Sequence, residues 1–323
     1  MDTITLPRNH PGLAAGLSYD RTVSRDLVHR WSLSEVFLTD HRDIDGTSFH
    51  AAAQLPLSHS YYCDHLGPVA LHDPLLVLEA CRQSVTCAAH ENQGVARSTT
   101  FMVTSWDVQI ADPQTLRRGE RPGELGILGR VTARQERGGR LRRLVFAMEL
   151  VLDGAFLGTL TMDVTCTPTD QYHALRRMQR GSEVPTAFTL AGETTGTPAP
   201  AGATARLDPR NAVLDDLVLR EGTLSALLSP RTYRNRSMYD HPYDHVPAMV
   251  FSEAARQCAQ LLTGPGTEGR WLRSLTGDFQ RFAELDAPVH ITASVQDTGD
   301  DRACRMEAVQ GATSVASVLV RLG

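Results

Sequence analysis

The run Pro74-Leu75-Leu76-Val77-Leu78-Glu79-Ala80-Cys81-Arg82-Gln83 decides the fold. It returns 174 positions later, counted from Glu79 to Glu253, as Pro247-Ala248-Met249-Val250-Phe251-Ser252-Glu253-Ala254-Ala255-Arg256-Gln257. Both copies are led by proline, with His and Asp just upstream, and both end on Glu-Ala-x-Arg-Gln. A helix explains the spacing: Glu and Arg three apart, and Glu and Gln four apart, share one face. The matching surroundings make this an internal duplication.

Outward from the first copy, the helix is expected over 74–90. Asp73 is a favourable N-cap, Pro74 suits a first turn, and Gly94 ends the segment. Four strand-like runs follow at 99–110, 125–137, 141–152 and 156–167. Gly138-Gly139 and Asp153-Gly154 are tight turns between them. Two strands are expected upstream at 31–39 and 48–54, then a loop over 59–73. The order repeats in the second half: strands at 212–219 and 223–228, a loop at 229–246, a helix at 247–263, and strands at 275–282, 289–297, 303–310 and 314–321. The layout is α+β, a long apolar helix wrapped by an antiparallel sheet, present twice. The expected division is an irregular lead-in over 1–24, a first domain over 25–179, a Gly/Pro/Thr/Ala-rich linker over 180–207 and a second domain over 208–323.

The chain has 323 residues, 41% hydrophobic and 21% charged, which suits two ordinary globular domains. All 32 basic residues are arginine, so neither a Schiff-base lysine nor a P-loop lysine exists. Any anion must be held by Arg, His, hydroxyls or backbone amides. A net charge of −5 argues against a nucleic-acid partner. None of the six cysteines forms a C-x-x-C pair. Cys81 and Cys258 are expected as small core residues inside the two helices. No signal peptide and no run long enough to cross a membrane is present, so a cytoplasmic protein is expected.

A long apolar helix inside a curled antiparallel sheet resembles the hot-dog fold. The second half is similar to its dehydratase branch, in which a His precedes a Pro-led apolar helix bearing a catalytic acid. The matching run is His245-Val246-Pro247-Ala248-Met249-Val250-Phe251-Ser252-Glu253, with Ala248 where that branch has glycine. Two such halves in one chain resemble the A-factor biosynthesis (AfsA-type) family of actinomycetes. Val28-His29-Arg30, Glu35-Val36-Phe37-Leu38-Thr39-Asp40 and His72-Asp73-Pro74-Leu75-Leu76 carry further likeness. The resemblance implies tandem hot-dog domains forming a pseudo-dimer. It also implies an acyltransferase that moves a β-ketoacyl group from a carrier-protein or CoA thioester to the hydroxyl of dihydroxyacetone phosphate. The ester can close to a butenolide phosphate, a precursor of γ-butyrolactone signals. No cofactor is implied, and the chain is expected as a monomer or a homodimer.

Such a transfer needs a base for the hydroxyl proton, a donor to the oxyanion and a cationic site for the phosphate. Glu79, desolvated on an apolar helix, is the first choice for base, because burial raises a carboxyl pKa. Arg256 is the first choice for substrate charge. Pseudo-symmetric pairing of hot-dog units predicts one site from Glu79 with Arg256 and another from Glu253 with Arg82. Gln83 and Gln257 serve as donors to a carbonyl or fix the carboxylates. His59, His65, His72, His241 and His245 lie in loops where they can orient substrate or exchange protons. No ligand spacing supports a metal. Arg231, Arg234 and Arg236 precede the second helix and are candidates for a phosphate or an acidic carrier protein. Arg140, Arg142 and Arg143, beside a hairpin turn, are candidates for a carrier-protein dock. No G-x-S-x-G nucleophile motif occurs, which favours direct transfer over an acyl-enzyme. The alternatives are a hot-dog thioesterase or β-hydroxyacyl dehydratase, and a non-catalytic acyl-ligand binder.

Overall fold

The Asp73 carboxylate accepts the Leu75 amide at 2.8 Å, so the first core helix, α1 (Pro74–Glu91), starts at the proline. Its buried residues lie on every side, including Glu79, Cys81 and Gln83. A helix apolar all round must sit in a core. The second, α3 (Ala248–Thr263), buries Glu253, Gln257 and Cys258 in the same way. The computed structural model describes residues 16–67, 69–190, 196–263, 271–297 and 302–323. Of the expected lead-in, residues 1–15 lie outside the described residues, as do 191–195 of the expected linker.

The first half contributes β1 (Leu38–Asp43), β2 (Ser48–Leu55), β3 (Thr99–Ile110), β4 (Gly123–Arg137), β5 (Arg140–Leu152) and β6 (Ala155–Pro168). The second contributes β7 (Leu214–Arg220), β8 (Thr223–Leu228), β9 (Leu272–Phe279), β10 (His290–Asp297), β11 (Arg302–Gln310) and β12 (Thr313–Leu322). All lie in one sheet, in the order β1-β2-β4-β5-β6-β3-β9-β12-β11-β10-β8-β7. Read from its two ends, the order is the same in both halves. The halves are stitched at the centre by the antiparallel pair β3 and β9, with Ser105 opposite Asp278 and Gln109 opposite Ser274. Each half is one hot-dog unit, and the chain is a pseudo-dimer.

Two expectations are corrected, and a third element has no counterpart among them. The strand expected at 31–39 is a 3₁₀ turn over Leu33–Glu35 followed by β1. Side chains take the amides that a ladder would need: Asp240 accepts from Trp31 and Ser32, and Gln83 accepts from Phe37 and Leu38. The strand expected at 275–282 is β9, which ends at Phe279. Beyond it the amides of Gln280 and Arg281 both turn to the Val315 carbonyl. The third is an unforeseen helix, α2 (Thr169–Arg180), which Gly181 closes in the left-handed region at φ 71°.

Candidate active site

Glu79 is fully buried and saturated. Its Oε1 accepts from Arg30 Nε at 3.1 Å, Arg82 Nη2 at 2.8 Å and Gln83 Nε2 at 2.7 Å, and its Oε2 accepts from Arg82 Nε at 2.8 Å. Gln83 ties this cluster to the chain entering β1. Its Nε2 also donates to the Glu35 carbonyl at 2.7 Å, and its Oε1 accepts the Phe37 amide at 2.9 Å.

The second half repeats the arrangement. Glu253 Oε1 accepts from Arg206 Nε at 2.9 Å, and Oε2 from Arg206 Nη2 at 2.8 Å and from Arg256. Gln257 donates to the Asn211 carbonyl at 2.8 Å and accepts the Val213 amide at 3.0 Å. The partners correspond at 176 positions: Arg30 to Arg206, Glu35 to Asn211, Phe37 to Val213. So do the anchoring carboxylates. Asp240 holds the amides after Arg30, and Asp64 holds the Asp208 amide after Arg206. In both halves the residue before the arginine is left-handed, with φ 53° at His29 and 56° at Ala205. That turn aims each guanidinium inward at its helix.

The two clusters differ in charge. Arg256 also gives Nη1 to Asp73 at 2.7 Å, so two arginines there face two carboxylates. At Glu79 two arginines share one carboxylate. The Arg82 side chain is 19% exposed and Glu79 1%. A cavity of about 730 Å³ is lined by Arg30 and Arg82, but not by Glu79. The unmatched positive charge therefore faces open space.

The same cavity reaches Tyr61, Tyr243, His245 and the start of α3 at Ala248 and Met249. Its apolar wall includes Trp106, Phe251 and Phe279. His245 Nδ1 lies 2.6 Å from Asp244 Oδ1. Asp244 is held by the Tyr172 hydroxyl at 2.7 Å and by Arg176 Nε at 3.2 Å. Tyr172 and Arg176 are the buried residues of α2, so the unforeseen helix anchors the carboxylate that orients His245. Burial pushes the Asp244 carboxyl up, but His245, Tyr172 and Arg176 outweigh it and hold it far below the usual carboxylate range.

Burial likewise pushes Glu79 up, and Arg30 and Arg82 push it down further, to about 2. This overturns the expectation that desolvation would raise it toward a working base. A carboxylate so committed is a poor proton acceptor. Among the described residues no ion pair joins Glu79 to Arg256 or Glu253 to Arg82. Each arginine binds the glutamate of its own helix, because the three-residue spacing already brings the two together. The halves cross through other residues: Tyr61 donates to Glu253 at 3.0 Å, and Arg30 Nη1 donates to Tyr243 at 3.4 Å.

Among the other candidates, His245 lines the cavity and His72 does not. His72 is buried beside Gly123, where burial lowers its pKa to about 4. Arg231 pairs with Asp215, and the Arg236 guanidinium lies 3.7 Å from the Phe188 ring centroid. Neither these two nor Arg234 lines the cavity. Arg206, Tyr61, Tyr243 and Asp244 were not singled out from sequence, and Arg30 entered only within a quoted motif. Among the described residues no cluster of His, Cys, Asp or Glu is arranged to hold a metal, and no helix is long and apolar enough to cross a membrane.

The family model described as the A-factor biosynthesis hotdog domain matches residues 16–168 and 192–321. A 2-oxo-3-(phosphooxy)propyl 3-oxoalkanoate synthase of Streptomyces virginiae is 32% identical over 308 residues, covering 93% of this chain and 97% of its own. A synthase of the same name from Streptomyces griseus is 29% identical over 313 residues, covering 90% and 88%. Among solved structures, a 12:0-ACP thioesterase from Umbellularia californica has a TM-score of 0.43 at 12% identity, covering 85% of this chain and 94% of its own.

Proposed function

The chain belongs to the A-factor biosynthesis hotdog domain family, and on that premise we propose that it transfers a β-ketoacyl group from a thioester to the hydroxyl of dihydroxyacetone phosphate. The relatives' name describes the ester this reaction yields. The observation that carries the proposal is the shared carboxylate. Arg30 and Arg82 have one glutamate between them and border a cavity that also holds His245.

The phosphate of the acceptor binds the outer edges of Arg30 and Arg82, which Glu79 and Gln83 keep fixed. Fixed guanidiniums bind an oxyanion without reorganising when it arrives. His245, its Nδ1–H donating to Asp244, presents Nε2 to the acceptor hydroxyl and takes its proton as the oxygen attacks the thioester carbon. The carbonyl becomes an oxyanion near the Ala248 and Met249 amides that open α3, ahead of the Val250 amide, which donates to the Pro247 carbonyl. Collapse breaks the carbon–sulfur bond, and the proton on His245 passes to the departing thiolate. The acyl chain lies along Trp106, Phe251 and Phe279. Glu79 is a positioning residue in this scheme, and Glu253 with Arg206, Arg256 and Asp73 braces the other half.

The donor chain is carried on an acyl carrier protein or coenzyme A, and the reaction is cytoplasmic. One chain supplies both halves of the site, so a monomer suffices. The test is mass spectrometry of purified protein incubated with a β-ketoacyl thioester, with and without dihydroxyacetone phosphate. A phosphorylated ester or butenolide formed only with the acceptor is expected. Free β-keto acid in both tubes would make it a thioesterase, and no turnover in either would overturn the proposal.

A further inference from the structure

Between residues 130 and 143 the chain carries six arginines and one glutamate, although its net charge is −5. These residues form the far end of the β4–β5 hairpin, where Arg137 stands directly opposite Arg140. Two of the arginines are matched: Arg134 lies 2.6 Å from Glu136, and Arg143 is paired with Asp163. Arg137, Arg140 and Arg142 have no carboxylate partner among the described residues. Arg137 and Arg142 line an open groove of about 800 Å³ together with Thr165 and Thr167 of β6. Thr165 also lines the cavity that contains Arg82 and His245. In the sheet it sits between Arg143 on β5 and Met102 on β3, and Met102 is itself a cavity residue. The basic groove and the cavity of the proposed active site therefore meet at Thr165.

We propose that this hairpin docks an acidic acyl carrier protein, whose prosthetic arm passes Thr165 to bring its thioester into the cavity. The proposal rests on the transferase reading and specifies its donor. A carrier protein fits better than free coenzyme A for reasons of size. The span from Arg140 to Arg143 alone is about 10 Å of strand, more than one phosphate can bridge and suited to a row of carboxylates. It fits better than nucleic acid because the charge is one patch on an acidic chain and adjoins a cavity with an apolar wall. An exposed patch of this kind mainly sets the encounter rate and fades with salt.

The test compares one β-ketoacyl chain on two donors, a holo acyl carrier protein and N-acetylcysteamine, with wild-type protein and the triple variant Arg137→Glu, Arg140→Glu, Arg142→Glu. The expected result is a loss of about tenfold or more in kcat/KM for the carrier-protein donor, no change for the small thioester, and a rate that falls with added NaCl only for the former. Equal rates in wild type and variant, or equal loss with both donors, would overturn the dock. Direct binding of fluorescein-labelled holo carrier protein is measured alongside, because it does not depend on turnover. Binding to wild type but not to the variant supports the dock even if no product forms, in which case the transferase reading alone fails. Binding to both or to neither overturns it. A labelled DNA duplex bound by wild type in place of the carrier would mark the patch as a nucleic-acid surface and overturn it too.

Discussion

Asp73 caps the first core helix and holds Arg256 of the second, with 2.7 Å between Oδ1 and Nη1. One oxygen thus sets the start of α1 and neutralises the spare arginine beside Glu253. The corresponding place before α3 is Pro247, which has no charge to offer Arg82. This asymmetry leaves one cluster balanced and the other cationic.

Removing Asp73 should therefore cost stability before it costs chemistry. Asp73→Ala loses a cap and strands a buried arginine, and a loss of about 3–5 kcal/mol is expected. The check is the urea midpoint, with kcat measured on the folded fraction. A shift below about 1 kcal/mol would mean that the pair contributes little.

Arg82→Ala and Arg256→Ala should differ in kind. Loss of a charged hydrogen bond to the acceptor phosphate is worth about 1.5–3 kcal/mol, so Arg82→Ala should lower kcat/KM for the acceptor roughly ten- to a hundredfold. Arg256→Ala should chiefly lower the unfolding midpoint. Steady-state kinetics over acceptor concentration separates them, and equal kinetic losses would contradict the asymmetry.

Glu79→Gln distinguishes a brace from a base. As a brace, the variant releases Arg30 and Arg82, so the Michaelis constant for the acceptor rises and the urea midpoint drops. As a base, it would lose kcat alone with stability kept. Measuring both on the same preparation decides between the two.

His245→Ala should reduce kcat by roughly 10²–10⁴, the usual worth of a positioned acid–base group. Asp244→Asn leaves the ring in place but removes the charge and exchanges one acceptor oxygen for a donor NH₂, so the Nδ1–H tautomer is held less firmly, and a smaller fall in kcat and an altered pH–rate profile are expected. An unchanged profile would remove Asp244 from the mechanism.

Stability should fall in acid in two stages. Burial, with His90 nearby, lowers His29 to about 3, and burial lowers His72 to about 4. Below pH 6.5 the unfolded chain takes up protons that these folded rings refuse, so stability declines from that point. Burial raises the Glu79 and Asp73 carboxyls, but their arginines lower them more, to about 2. Their contribution is complete above the ordinary values of 4.5 and 3.8 and is lost as pH falls toward 2. Urea midpoints from pH 8 to 3 test this, and a flat profile below pH 6.5 would contradict it.

The helices and the duplication are legible in the sequence because Glu, Arg and Gln recur at helical spacing in two apolar runs. The partners of those glutamates are harder to see. Arg30 lies 49 residues before Glu79 and Arg206 47 before Glu253, so a single offset that aligns the helices misaligns the arginines by two. Arg206 also falls in the stretch that composition marks as linker. Asp64-His65 and Asp240-His241 repeat at the arginines' own offset and are the signal that exposes it. α2 was missed because its buried side is only Tyr172 and Arg176, too narrow a stripe to register as periodic. Burial of Glu79 and its contact with Arg82 are legible from the helix, whereas Arg30, the larger of the two charges that lower its pKa, lies 49 residues away and is not.

A homodimer writes both of its sites with the same codons, so every substitution arrives twice. Here β3 and β9 join two halves that are spelled separately in one gene. A single codon change at position 82 alters the cationic cluster and leaves Arg256 of its twin untouched. Selection can then tune the cationic half for new acyl chains or acceptors while the balanced half keeps the molecule folded.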